Sequence, residues 1–240
     1  MRIGRLFAAA AATTLAWATP SSATTITLTS ASFAPGSMWG GVVVTGPAYN
    51  GGLEAGRISF SGFEAGAPAN AFNEFSYCVD IFRALYTSTN FNISTLGAVV
   101  TNLDRQSRIA GLLVNSASLF AAAATNAERN LIGAATQLSV WEMVYEVIGT
   151  PLTVSSGNFG VFGDFTPTVA ARANGYLANN WMASSGLVSS LVSVNGQSQN
   201  QIFLTPPAVP EPATWLSMIL GFSLVGSFLR RAKAAATVTA

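Results

Sequence analysis

The hydrophobic period of the chain changes twice along its length, and this limits the folds open to it more than any single motif does. Up to Phe82 the apolar residues come in short alternating or continuous runs, T25-I-T-L-T29, G41-V-V-V-T45, R57-I-S-F-S61 and F75-S-Y-C-V-D-I-F82, separated by Gly, Pro and Asn. Such runs read as antiparallel strands joined by turns. From Asp104 the spacing becomes helical, with Ile109, Leu112, Leu113, Ser116 and Phe120 on one face. Thr125 followed by Glu128 predicts the start of a second helix, which runs to about Ile148 and is stopped by Gly149 and Pro151. A third helix fits Thr168 to Ser184, and strands return with L187-V-S-S-L-V-S-V194 and I202-F-L-T205. Sheet, helices, sheet is the order of an α+β fold, here an antiparallel sheet or sandwich with an inserted helical sub-lobe.

Two segments flank this domain. Arg2 and Arg5, the apolar run Leu6–Ala18 and the small residues Ser21-Ser22-Ala23 have the three parts of a secretory signal peptide. Residues 1–23 are therefore expected to be removed by signal peptidase between Ala23 and Thr24. At the other end, proline cannot continue a strand or helix, so the folded domain, 24–205, is expected to stop before Pro206. A proline-rich linker, 206–212, contains Pro210-Glu211-Pro212; an apolar segment and an arginine pair, Arg230 and Arg231, fill 213–231; a short tail, 232–240, follows. The apolar part, Trp215–Leu229 with Ala213 and Thr214 as extensions, approaches the roughly 20 residues that span a bilayer, with the arginines on the cytoplasmic side.

These C-terminal residues resemble the PEP-CTERM sorting signal of Gram-negative bacteria, with Gly221, Phe222 and Gly226 matching one common subtype. The resemblance implies a transmembrane sorting helix, an inner-membrane intermediate, processing by an exosortase, and delivery to the cell surface or extracellular matrix. The residues beyond Arg231 depart from the usual pattern, in which the basic cluster ends the chain.

Within the domain, Cys78 is the only cysteine, placed on a run rich in aromatic and β-branched residues that predicts burial. In T136-Q-L-S-V-W141, Gln137 and Trp141 lie one turn apart and share a face with Val144 and Ile148. Burying a glutamine amide without partners costs about 1–3 kcal/mol, so that position needs a reason. The two segments resemble the thioester domains of Gram-positive surface adhesins, on Tyr77, Cys78 and Val79 and on Gln137, Val140 and Trp141. That resemblance implies an internal thioester in which the Cys78 sulfur has displaced ammonia from the Gln137 side chain, with Tyr77, Asp80 and Trp141 in support. It also implies covalent capture of an amine-bearing partner. By strand alternation Asp80 shares the face of Cys78 and is the better placed proton acceptor. The alternative reading leaves Cys78 as core packing and the protein as a non-covalent component of the envelope, exopolysaccharide or biofilm.

The single lysine, Lys233, lies outside the domain, so the domain carries no ε-amine able to quench such a bond. A genomic preference for arginine accounts for this equally well. There is no histidine, which excludes Ser-His-Asp and Cys-His catalysis. Glu142 and Glu146, one turn apart, read as solvated charges, and Asp80, Asp104 and Asp164 have no calcium-loop spacing. No cofactor, metal or enzyme activity is expected. A net charge of +1 with scattered arginines offers no surface for nucleic acid.

Overall fold

A computed structural model describes residues 24–205 and 218–223. The chain divides into two units, Met1–Thr205 and Pro206–Ala240. In the second, the described residues are helical, and among the described residues no helix is long and apolar enough to cross a membrane. The expected signal peptide and its Ala23 cleavage position, the Pro210-Glu211-Pro212 box and Arg230 and Arg231 lie outside the described residues.

The first unit is mixed helix and sheet, and both of its sheets are antiparallel. Its strands are β1 (Thr25–Phe33), β2 (Met38–Val44), β3 (Tyr49–Ala55), β4 (Ile58–Glu64), β5 (Ala67–Cys78), β6 (Asn90–Thr95), β7 (Phe159–Phe162), β8 (Val188–Ser193) and β9 (Gln201–Leu204). Three helices, α1 (Leu103–Ala122), α2 (Asn126–Tyr145) and α3 (Thr168–Ala178), fall between β6 and β8. Six strands close into a barrel in the order β1-β4-β5-β9-β8-β6, and the order β3-β2-β7 forms a separate sheet.

Closure depends on β6, which pairs with β1 through Ile26↔Phe91 and with β8 through Ile93↔Leu191. Ile26, Leu28, Phe60, Phe91 and Leu191 are all buried, and the Phe60 and Phe91 rings meet edge to face at 6.5 Å. The second sheet covers the helical layer with β2, whose Val42 and Val44 are buried. Gly40 lets this strand lie against the Phe165 ring, which would collide with any Cβ there.

α1 buries the face read from sequence: Ile109, Leu112, Leu113, Ser116 and Phe120 are each at least nine-tenths covered. α2 begins as the capping pattern predicts, with Thr125 Oγ1 accepting from Glu128 N–H at 3.1 Å. It differs from a one-sided helix, however. From Ile132 to Met143 every residue is buried, because α2 contacts α1, α3, β2, β3, β5 and β7. A helix enclosed on all sides can hold polar groups only if each is satisfied. Thr136 and Ser139 accordingly donate to the Ile132 and Ala135 carbonyls, both at 2.8 Å.

The enclosure of α2 and the place where it ends correct two sequence expectations. Glu142 and Glu146 are not solvated charges but are 0% and 6% exposed. Ile148 does not share the buried face of Gln137, because the helix ends at Tyr145 and leaves Ile148 68% exposed.

Candidate functional site

Strand β5 stops at Cys78, and the chain bends away over the next few residues. The backbone groups of the bend need partners that the ladder no longer supplies, and α2 provides them from one face. Gln137 Oε1 accepts from Cys78 N–H and Gln137 Nε2 donates to Cys78 O, both at 2.8 Å. Two turns further along, the Tyr145 hydroxyl accepts from Ile81 N–H and donates to Val79 O, both at 3.1 Å. Gln137 and Tyr145 thus clamp the segment that carries the thiol.

The structure therefore brings Cys78 and Gln137 together, but through the cysteine backbone; the glutamine at the sulfur is a different one. Cys78 Sγ donates to Gln199 Oε1 at 2.8 Å, and Gln201 Nε2 donates to Sγ at 3.3 Å and to Gln199 Oε1 at 3.1 Å. Gln199 Nε2 donates to the Asp80 carbonyl, and Gln199 N–H to the Ala84 carbonyl at 3.0 Å. Ser76 Oγ donates to Gln201 Oε1 at 3.3 Å. The side chains of Ser76, Cys78, Gln137, Gln199 and Gln201 are all buried. Every polar atom of the three glutamine amides is used, which is what keeps such a network affordable in a core.

Burial pushes the Cys78 thiol up to about 12, offset in part by the Gln201 hydrogen bond, with nearby Asp80 adding to the rise. A sulfur in this setting is held as the thiol at neutral pH.

The other residues singled out by sequence take different places. The Asp80 carboxylate accepts from Phe82 N–H at 2.9 Å and faces Arg83 at 3.5 Å; it is the Asp80 backbone carbonyl that joins the hydrogen-bond network at the sulfur, by accepting from Gln199 Nε2. Tyr77 points away from Cys78 along the alternating strand, and its hydroxyl meets Thr136 and Ser116 of the helices. Trp141 is buried against Phe159, and its Nε1 has no partner.

Trp141 also walls a cleft of ≈ 260 Å³ that reaches Cys78 and Gln199. Phe33, Leu53 and Leu85 supply apolar sides, while Glu54 and Arg83 carry its charges. A larger cavity, ≈ 480 Å³, lies at the start of α1 around Arg105 and Arg108 and does not touch the sulfur. Among the described residues no cluster of His, Cys, Asp or Glu is arranged to hold a metal ion.

Sequence reasoning passed over Gln199 and Gln201 because G196-Q-S-Q-N-Q201 has the composition of a polar loop. The signal was their spacing: two residues apart and running directly into I202-F-L, they fall on one face of a strand whose continuation is buried.

Glu142 and Glu146 organise the loop that follows α2. Burial raises the Glu146 carboxyl, but hydrogen bonds from Val147 N–H, Thr150 Oγ1, Phe159 N–H and Asn158 N–H outweigh it and leave the group below its usual range. Glu142 accepts only from Thr153 N–H at 2.8 Å, and its Oε2 has no partner. Burial, helped by Glu146 and opposed by the Thr153 hydrogen bond and Arg105, pushes its carboxyl from 4.5 up to about 8. An acid whose pKa is raised on folding holds more protons folded than unfolded. Its stabilising contribution is present in full below about pH 4.5 and is lost as pH rises through about 8, at up to about 1.4 kcal/mol per pH unit. Glu142→Gln is expected to flatten the fall in stability across that window, measured by urea unfolding at a series of pH values. Parallel curves for variant and wild type would show that Glu142 does not carry the slope.

No family model, curated protein or solved structure matches this chain.

Proposed function

We propose that this is an exported surface or matrix protein whose barrel unit masks an activated acyl group as an internal thioester, formed between Cys78 and Gln199. The observation that carries the reading is the 2.8 Å contact between Cys78 Sγ and Gln199 Oε1, which sets the chain's only cysteine against an amide. Proximity of this kind lets a thiol attack an otherwise unreactive amide, since folding has already met the entropic cost of bringing the groups together. Gln137 serves as the clamp that presents the cysteine, a role its two backbone hydrogen bonds support.

The cleft over Cys78 and Gln199 gives an incoming amine an approach to the acyl carbon, between walls that carry one charge of each sign, Glu54 and Arg83. Attack by the amine would leave an amide link to the partner and release the thiol. Signal peptide, sorting segment and lysine-free domain together suit a protein that meets its partner outside the inner membrane, with exosortase-type processing of the C-terminal signal.

The test is the intact mass of the full chain and of a Cys78→Ala variant, each before and after methylamine. Wild type is expected one ammonia below the variant-corrected sequence mass and to gain one methylamine; the variant does neither. If wild type retains its ammonia and exposes a maleimide-reactive thiol on unfolding, Cys78 is core packing. The protein is then a non-covalent component of the envelope or matrix.

A further inference from the structure

We infer that Gln201 is the oxyanion donor of this site, the group that stabilises charge on the Gln199 side-chain oxygen as the sulfur attacks. The inference rests on the thioester reading and adds a catalytic residue to it. Its geometric basis is that Gln201 Nε2 reaches both reacting groups, lying 3.3 Å from Cys78 Sγ and 3.1 Å from Gln199 Oε1. An amide nitrogen carries two N–H donors, so it can serve both atoms together.

The orientation of that amide is set from behind. Ser76 Oγ donates to Gln201 Oε1, so the oxygen end is held toward Ser76 and the nitrogen end toward the sulfur. Gln201 itself is 0% exposed and sits opposite Cys78 in the β5–β9 ladder. The donor is therefore in place before reaction and has no solvent to reorganise, the condition under which such groups contribute most.

Cys78 Sγ bonds to the Gln199 side-chain carbonyl carbon, and negative charge develops on Oε1. The carbon–Nε2 bond then breaks, and the thiol proton leaves with the nitrogen as ammonia. In the ground state the thiol itself donates to Oε1. That hydrogen bond is lost when sulfur bonds to carbon, and the Gln201 N–H is the donor that remains. Capture of an amine passes through the same oxygen, so one donor serves both formation and cleavage. The raised thiol pKa fits a need for such help, because a free thiolate is scarce at neutral pH.

The experiment uses the full chain recovered unfolded from inclusion bodies, in which Gln199 still carries its amide and Cys78 its thiol; it is refolded in amine-free buffer, with maleimide labelling in denaturant at successive times to count unmasked thiols. Gln201→Met keeps the length of the side chain and removes both donors. It is expected to mask its thiol about 10²-fold more slowly than wild type, and, once masked, to react with methylamine more slowly by a similar factor. Ser76→Ala, which only frees the Gln201 amide to turn, is expected to slow both steps by a smaller factor and provides the answer if Gln201→Met does not fold. Equal rates in wild type and Gln201→Met, or in wild type and Ser76→Ala where Gln201→Met does not fold, overturn the role of Gln201 and leave the thioester standing. A wild type that never masks its thiol overturns both, and slow masking with unchanged methylamine cleavage would mark Gln201 as a folding aid and overturn the oxyanion role.

Discussion

Replacing Gln199 with alanine is expected to leave Cys78 a free thiol in every molecule, with the barrel still folded. The substitution removes the only side-chain carbonyl to which the sulfur donates. The polar groups it strands are few, since Gln201 Nε2 keeps its contact with Sγ and the Ala84 carbonyl keeps the backbone N–H of residue 199. Maleimide labelling in denaturant should therefore rise from near zero in wild type to one per chain, and the variant should keep its full mass and ignore methylamine. The same assay on a Gln137 variant separates the two glutamines. If the thiol stays masked without Gln199 and becomes free without Gln137, the acyl donor is Gln137, and the arrangement around the sulfur described above precedes a rearrangement.

The second large effect is on stability. Gln137→Leu fills a similar space but leaves the N–H and C=O of Cys78 without the partners they have at 2.8 Å, deep in the unit. Each stranded group costs about 1–3 kcal/mol, so the expected loss is about 2–6 kcal/mol. For a unit of this size, at roughly 2–4 °C per kcal/mol, that corresponds to a fall in melting temperature of roughly 4–24 °C. Thioester formation should also suffer, because the cysteine is no longer held, but through misplacement and not through loss of an acyl group. Differential scanning calorimetry of the Gln137 and Gln199 variants makes the distinction. A Gln137 variant that melts within a degree or so of wild type would show that the clamp carries little.

The long periodic segments were legible in the sequence because burial on one face leaves a period in the residues. The buried stripe of α1 is the clearest case, and the capped start of α2 is another. Three strands were missed for a shared reason. β3 (YNGGLEA) and β6 (NFNIST) are interrupted by glycine or asparagine and β7 (FGVF) is only 4 residues long, so none carries a legible alternation. What makes them strands is their neighbours: β6 closes the barrel between β1 and β8, and β3 and β7 flank β2. Without β6 the pattern suggested an open sheet or sandwich.

At the site the residue types were legible but the atoms were not. Cys78 and Gln137 were rightly read as buried on separate elements. Which end of a glutamine meets which part of a cysteine is decided by where β5 bends, and nothing in the spacing reports that. Glu142 and Glu146 were misread because one-turn spacing says only that two residues share a face. It does not say that other elements cover that face, as they do for a helix enclosed on every side.

The barrel strand that comes last in sequence, β9, is also the strand from which the chain leaves. β9 ends at Leu204, and the unit ends at Thr205, so any pull on the chain from its C-terminal side enters through β9. β9 lies antiparallel between β5 and β8, an arrangement that resists such a pull as shear along its neighbours. A covalent bond from Cys78 to Gln199 would fasten the start of β9 to the end of β5, carrying load across the barrel wall into the clamped segment under α2. On that path, capture of a partner amine would convert a reinforced anchor into a partner-bearing one, with the force rerouted from sulfur to the new amide at the mouth of the cleft.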